Sequence, residues 1–214
     1  MRIGVLGTGA MAAALAGSWA RAGHELLIGG RSAAKAETLA GRVGGRAGSL
    51  REAAGFGSVV LLAVPYAALA DTLRRAGADE GTLRGRTVVD CTNPLDMATM
   101  EPAPELLDGG PSAARRIAGL VGGAHVVKGF NLAPAQVWGR SPYGPGDAPV
   151  DVPLCGDDEA ALAAVRTLVG EMGCEPLDGG GLERAGLLEA TAAVAAGLWG
   201  QGRQPGAVFG PAGG

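Results

Sequence analysis

The feature that most restricts what this chain can fold into lies in its first dozen residues. Arg2 to Leu6 (RIGVL) is a short apolar run with β-branched members, and it ends in Gly7-Thr8-Gly9-Ala10-Met11-Ala12. A strand that stops at a G-x-G-x-x-A turn opens directly into a helix, as at the start of a βαβ unit. Gly7 permits the tight turn, Gly9 leaves the backbone open to a pyrophosphate, and Ala12 lets the helix lie close to the sheet. Met11, Leu15 and Trp19, four residues apart, mark the apolar face of that helix, and Gly23 is placed to close it. Leu26-Leu27-Ile28 then reads as the second strand. The backbone N–H groups of Ala10 and Met11, at the helix N-terminus, form a ready site for an anion.

The residues after the second strand distinguish one dinucleotide from another. An NAD site places an Asp or Glu about 20 residues beyond the glycines to accept from the ribose hydroxyls, whereas a 2′-phosphate needs cations and hydroxyl donors. Here the position holds Gly29-Gly30-Arg31-Ser32, without a carboxylate. Arg31 can fork onto a phosphate, Ser32 can donate to it and cap the next helix, and Lys35 adds a charge one turn later. The pattern points to NADP(H).

Beyond this unit the apolar runs alternate with helical stretches, which predicts an α/β, Rossmann-type doubly wound, mainly parallel sheet. Helices are expected to about Ala40, over Leu50–Ala54 behind a Ser49 cap, over Ala67–Arg75 and over Ala113–Val121. Gly41–Arg46 reads as a weakly signalled third strand. Ser58 to Val64 (SVVLLAV) has the unbroken apolar character of a central parallel strand, and Thr87–Cys91 and His125–Phe130 follow it. Ligands of such sheets lie at the carboxyl ends of the strands, which brings Val64 and Pro65 to the dinucleotide. Pro94 holds Asn93 extended after the fifth strand. Its local chemistry fits equally a turn that needs only Asn and Pro, or a side chain aimed into the cleft. Asn131 stands at the end of the sixth strand and faces the same cleft. Asp96–Pro111 reads as a loop across the mouth of the cleft, and the Gly/Pro-rich Trp138–Val150 as a linker or lid.

A small C-terminal α/β extension is expected after the linker, with strands at Asp151–Gly156 and Glu175–Leu177, a helix from the acidic Asp157-Asp158-Glu159 to about Met172, and a last helix over Gly181–Trp199. The division expected is 1–138 for dinucleotide binding and 139–214 for the hydride acceptor and dimer contacts. Length allows this: 214 residues suffice for one large α/β domain with an appendage. Hydrophobic residues at 47% against 18% charged exclude a disordered chain, and a net charge of -3 offers nothing to a nucleic acid. No stretch approaches the roughly 18 apolar residues of a membrane span, and Met1 leads straight into a strand without a signal peptide, so a cytoplasmic protein is expected. Cys91, Cys155 and Cys174, odd in number and far apart, support neither a disulfide framework nor a zinc site, and read as small buried hydrophobes. His24 and His125 stand at strand starts, on the side away from the cleft. Only two of 18 basic residues are lysines, a skew that, with abundant Ala and Gly, looks like a GC-rich bacterial genome.

Taken in order, Gly7-Thr8-Gly9-Ala10-Met11, Gly30-Arg31-Ser32, Val64-Pro65, Thr92-Asn93-Pro94, Val127–Asn131 and Val152–Asp158 resemble the F420-dependent NADP oxidoreductase family, and Pro176-Leu177-Asp178 extends the likeness. The same domain occurs in membrane metalloreductases of the STEAP type, whose membrane spans this sequence lacks. The resemblance implies a Rossmann domain with a small C-terminal part, commonly dimeric, that moves hydride between NADP(H) and the deazaflavin coenzyme F420. It implies Thr8, Arg31, Ser32 and Lys35 at the 2′-phosphate and its neighbours, Val64, Pro65 and Asn93 on the nicotinamide side, and the C-terminal glycines near the deazaflavin. The family commonly continues the phosphate turn with a second basic residue, where this chain has Ala33.

Hydride transfer between two flat rings needs reacting carbons about 3 to 3.5 Å apart rather than an acid–base side chain. Accordingly, no carboxylate, histidine or cysteine stands out as a catalyst. Two alternatives use the same N-terminal half: an NADPH-dependent reductase of a small imine or carbonyl, and a non-enzymatic NADP(H)-sensing module. Relatives that reduce hydroxyacids place a Lys and an Asn on their first C-terminal helix, but LERAGLLEATAAVAAGLW contains no lysine.

Overall fold

The computed structural model describes residues 1–96, 98–143 and 150–203. The N-terminal unit forms as its pattern dictates: β1 (Arg2–Leu6), α1 (Ala10–Arg21) and β2 (Glu25–Gly29). Next come α2 (Ala33–Val43), β3 (Arg46–Gly48), α3 (Leu50–Phe56), β4 (Val59–Leu62), α4 (Leu69–Arg75) and β5 (Thr87–Asp90). The chain continues through α5 (Pro104–Leu107), α6 (Ala113–Leu120), β6 (His125–Lys128) and α7 (Ala135–Arg140). It ends with β7 (Asp151–Gly156), α8 (Glu159–Gly170), β8 (Glu175–Asp178) and α9 (Ala185–Gly200).

All eight strands join one sheet in the order β3-β2-β1-β4-β5-β6-β7-β8. The first six are parallel in the doubly wound order, with the topological switch between β1 and β4. β7 pairs antiparallel to β6, and β8 runs parallel to β7, so the C-terminal strands extend the same sheet in the opposite sense. β4 explains its central place: Val59, Val60, Leu61 and Leu62 are all at most 1% exposed, so both faces of the strand are covered. On one side α1 buries Ala12, Leu15, Ala16 and Trp19. On the other, Leu6, Val60 and Leu62 pack with Leu50, Leu73 and Ile117.

Several boundaries differ from the sequence reading, each for a local reason. α2 continues to Val43 because the left-handed Gly44 (φ 73°) is what ends it, and β3 then starts at Arg46. α3 extends two residues past Ala54 to Phe56, behind a full capping box between Ser49 and Glu52. The 96–111 segment is not wholly irregular: Pro104 starts the short helix α5, and Leu95 bridges to Pro102. Trp138–Arg140 are not linker but the last half of α7. Trp138 is 2% exposed, packs edge-on to Phe130 at 5.4 Å, and its carbonyl accepts from Ser18 Oγ at 2.9 Å. Of the rest of the predicted lid, residues 144–149 lie outside the described residues, as does Met97. Helix α7 crosses the expected 138/139 division.

Candidate functional site

A long groove runs over the carboxyl ends of β1, β4, β5 and β6, made of two adjoining cavities of about 390 Å³ each that share Gly9, Ala63, Val64 and Pro65. The first cavity collects the N-terminal candidates Gly7, Thr8, Gly9, Arg31, Ser32 and Lys35 with Val64 and Pro65. The second holds Gly9, Ala10, Met11, Val64 and Pro65 together with Asn93 and Asn131. Every candidate from the sequence therefore lines one groove.

The two fingerprint glycines serve different ends. Gly7 has φ +135°, and a Cβ there would lie 2.1 Å from the Ala63 carbonyl oxygen, so the fold itself requires it. A Cβ on Gly9 would meet no atom within 4 Å. Among the described residues nothing needs that space, which leaves it open to a ligand. Helix α1 begins at this point with no side-chain cap and no acidic residue in its first turn, so its leading N–H groups and positive dipole end face the groove. Together these features fit a pyrophosphate. At the far end of the first cavity, Ser32 caps α2 by accepting from Lys35 N at 3.4 Å, as expected. Neither Arg31 nor Lys35 forms an ion pair among the described residues, and no carboxylate lines this cavity. A free guanidinium, an ammonium and a hydroxyl with no competing acid fit a 2′-phosphate.

Residues 2–94 match the family model described as NADP oxidoreductase coenzyme F420-dependent. The F420-dependent NADP reductase of Methanothermobacter marburgensis is 33% identical in a 205-position alignment that covers 88% of this chain and 88% of that protein. The chain belongs to the coenzyme F420-dependent NADP oxidoreductase family. As a member it is an NADP-dependent oxidoreductase with a Rossmann-like fold. The metalloreductase STEAP3 of Rattus norvegicus is 30% identical over 192 residues, 88% of this chain but only 36% of that protein, so the chain spans about a third of its length. Among the described residues no helix is long and apolar enough to cross a membrane. Among solved structures, a putative F420-dependent NADP-reductase from Arthrobacter sp. FB24 superposes with a TM-score of 0.79 at 28% identity, over 95% of this chain and 96% of that one.

The second cavity, where this family member's nicotinamide side is expected, has apolar walls. Leu95, Met100, Leu132 and Ala133 contribute, and α9 closes it with Ala192, Ala196 and Trp199. Helix α9 thus reaches the site through these side chains rather than through Gly200, while Gly206 lies outside the described residues. Cys91 also lines the cavity, but burial first, and then the Asp90 carboxylate, push its thiol up to about 12, so it stays a neutral hydrophobe. No carboxylate, histidine, lysine or arginine lines this cavity among the described residues.

Asn93 and Asn131 meet across the strand ends. Asn93 Nδ2 donates to the Asn131 carbonyl and Asn131 Nδ2 donates to Asn93 Oδ1, each at 2.9 Å. The preceding residue, Phe130, is held in the left-handed region (φ 61°), a conformation that costs a non-glycine residue free energy and is sustained by its surroundings. Its carbonyl accepts from Trp138 Nε1 at 3.1 Å, and its ring stands edge-on between Trp19 and Trp138. This packing turns the chain back so that Asn131 reaches Asn93.

Beneath the groove lies a charged cluster that the sequence reading missed. Lys128, Asp90 and Glu189 are all fully buried. Lys128 Nζ lies 2.9 Å from Asp90 Oδ2 and 2.8 Å from Glu189 Oε1, and it also donates to the Thr92 carbonyl. Asp90 Oδ1 accepts from Thr92 N at 2.8 Å. Glu189 in addition accepts from Ala113 N (2.8 Å) and Ala114 N (3.2 Å), so the second carboxylate is neutralised by the N-terminus of α6. Burial by itself would push Lys128 down, but the Asp90 and Glu189 carboxylates outweigh it and hold the ammonium above the ordinary lysine range. One ammonium therefore ties together the end of β5, the end of β6 and the wall helix α9. The signal available in the sequence was a charged residue directly after a Val-Val pair at the end of each of two strands, TVVD and HVVK.

Proposed function

We propose that this chain transfers hydride between NADP(H) and the deazaflavin coenzyme F420. The carrying observation is the division of the groove into a cationic, glycine-bounded half and an apolar half without an ionised side chain. NADP(H), when bound, supplies the nicotinamide carbon that gives or takes the hydride. The protein's share is then to hold the phosphates through the α1 N-terminus, Arg31, Ser32 and Lys35, and to exclude water from two stacked rings. Apolar walls suit that task, and no side-chain proton donor is required when the acceptor is a ring that takes hydride directly. Relatives named for this reaction in two organisms support the reading.

A second reading, reduction of a small imine or carbonyl, rests on Tyr66. Tyr66 is one of the residues lining the apolar cavity, and its hydroxyl accepts from Arg116 Nη1 at 2.6 Å, which leaves its own proton free to donate. Absorbance of oxidised F420 mixed with protein and NADPH separates the two. Bleaching with NADPH and little with NADH supports the deazaflavin reading. Absence of bleaching, with turnover of a cyclic imine that Tyr66→Phe abolishes, supports the other.

A further inference from the structure

Helix α9 walls the apolar cavity, yet its own sequence does not dictate which way it faces. Its 16 residues, AGLLEATAAVAAGLWG, carry apolar side chains on every side. Those it buries are small, Ala185, Ala192, Ala193 and Ala196, whereas the larger Leu187 and Val194 stay 61% and 57% exposed. Hydrophobic burial grows with area, so by itself it would turn Leu187 and Val194 inward. An alanine face is also smooth, with few ridges to set how far the helix slides along its neighbours. Another interaction must choose both the face and the axial position.

Glu189 is the one ionisable residue of α9, and it is fully buried. Its carboxylate meets groups held on two other elements: Lys128 Nζ at the end of β6, at 2.8 Å, and the N–H groups of Ala113 and Ala114 at the start of α6, at 2.8 and 3.2 Å. Sliding α9 by one residue, about 1.5 Å, would break these bonds. Glu189, Ala192, Ala196 and Trp199 are three or four residues apart and share one face, and the last three line the apolar cavity. Among the described residues, none from α9 lines the cationic cavity.

We propose that Glu189 is the register pin of α9, a positioning residue that turns Ala192, Ala196 and Trp199 toward the hydride partner and leaves NADP(H) binding untouched. A buried ionic contact in this role selects one packing among several of similar apolar content. The assignment of the partner rests on the deazaflavin reading; the pin itself does not.

Glu189→Leu removes the pin and leaves Lys128 balanced by Asp90 alone. A covalent substitute for the pin is available nearby. A Cβ on Gly186 would lie 3.6 Å from Ser112 Cβ, within disulfide range, so Gly186→Cys with Ser112→Cys can fasten α9 to the start of α6 by another route. The three native cysteines are buried and do not compete. Calorimetry gives the NADPH affinity, steady-state assays give kcat/KM for F420, and mass spectrometry follows the crosslink. In Glu189→Leu the NADPH affinity is expected to stay within about twofold, while kcat/KM for F420 falls roughly ten- to hundredfold, as for reacting groups displaced by about 1 Å. Oxidising the paired cysteines in that background should restore kcat/KM, and reduction should abolish it again. The crosslink should also form several-fold more slowly without Glu189. Glu189→Gln, which keeps an oxygen for Ala113 N, takes the place of Glu189→Leu should the latter fail to fold. A folded variant with wild-type kcat/KM, equal losses toward NADPH and F420, or a complete crosslink that restores nothing overturns the pin. Wild-type protein that binds NADPH but reduces no F420 overturns the deazaflavin reading instead, and the crosslinking rates then decide the pin: slower without Glu189 upholds it, equal rates overturn it.

Discussion

Replacing Lys128 by Met removes a single charge from a fully enclosed polar cluster and leaves the Asp90 and Glu189 carboxylates without their shared cation. Lys128, Asp90 and Glu189 have no exposed side-chain surface, so water cannot screen what remains. Removing one partner of a buried ion pair costs about 3–5 kcal/mol. That is a large part of the roughly 5–15 kcal/mol that holds a typical domain folded. For a chain of this size it corresponds to a fall in melting temperature of roughly 6–20 °C. Glu189 keeps two N–H donors from α6 and Asp90 keeps Thr92 N, which argues for the lower half of the range. Neutralising a carboxylate in the same background, as in Lys128→Met with Glu189→Gln, is expected to recover part of the loss, because the amide oxygen so introduced can still accept from Ala113 N. Urea unfolding followed by circular dichroism measures all three proteins. The pH dependence adds a signed check. The Lys128 pKa is raised on folding above its ordinary 10.5, so the cluster's contribution is complete below that value and is lost as pH rises through the folded pKa. The wild type should therefore lose an alkaline component of stability that Lys128→Met does not possess. A variant less than about 1 kcal/mol weaker than the wild type, with the same alkaline profile, would refute the claim that this cluster binds α9 to the sheet.

Three further outcomes can be checked. Arg31→Asp should raise the KM for NADPH by tens of fold and improve the relative use of NADH, because an unpaired guanidinium becomes a repelling carboxylate; an unchanged ratio of the two would remove Arg31 from the phosphate site. Gly9→Val should abolish nucleotide binding in a protein that still folds, whereas Gly7→Val should disrupt the fold, since only the Gly7 Cβ would strike backbone, at 2.1 Å from Ala63 O. Titration calorimetry and circular dichroism separate the two, and a well-folded Gly7→Val would contradict the packing described. Cys91, with its thiol pushed up to about 12 by burial, should resist iodoacetamide at pH 8 in the native protein and react after denaturation, as read by mass spectrometry.

The cationic, glycine-bounded half of the groove was legible because its chemistry is written in neighbouring residues. Gly7, Gly9 and the Gly30-Arg31-Ser32 turn lie within one βαβ unit, where strand, turn and helix follow from local propensity and spacing. The alternation of apolar runs with helical stretches likewise announced the parallel sheet, and the breadth of SVVLLAV announced its central strand. Trp138 was misread for the complementary reason. It opens a stretch rich in Gly and Pro, and nothing near it in sequence reveals that Phe130 and Ser18 enclose it.

By itself, then, the sequence determined the class of fold and the gathering of Gly7, Gly9, Arg31, Ser32 and Lys35 at one end of the sheet, since each depends on backbone conformations and side-chain types a few residues apart. Tertiary structure alone decided the other half. Asp90, Lys128 and Glu189 come from two strands and the last helix, and Asn93 pairs with Asn131 only because β5 and β6 are neighbours in register and Phe130 turns the chain back. Whether a buried charge is paired depends on distances of about 3 Å between residues far apart in the chain, and such distances exist only once the sheet has formed.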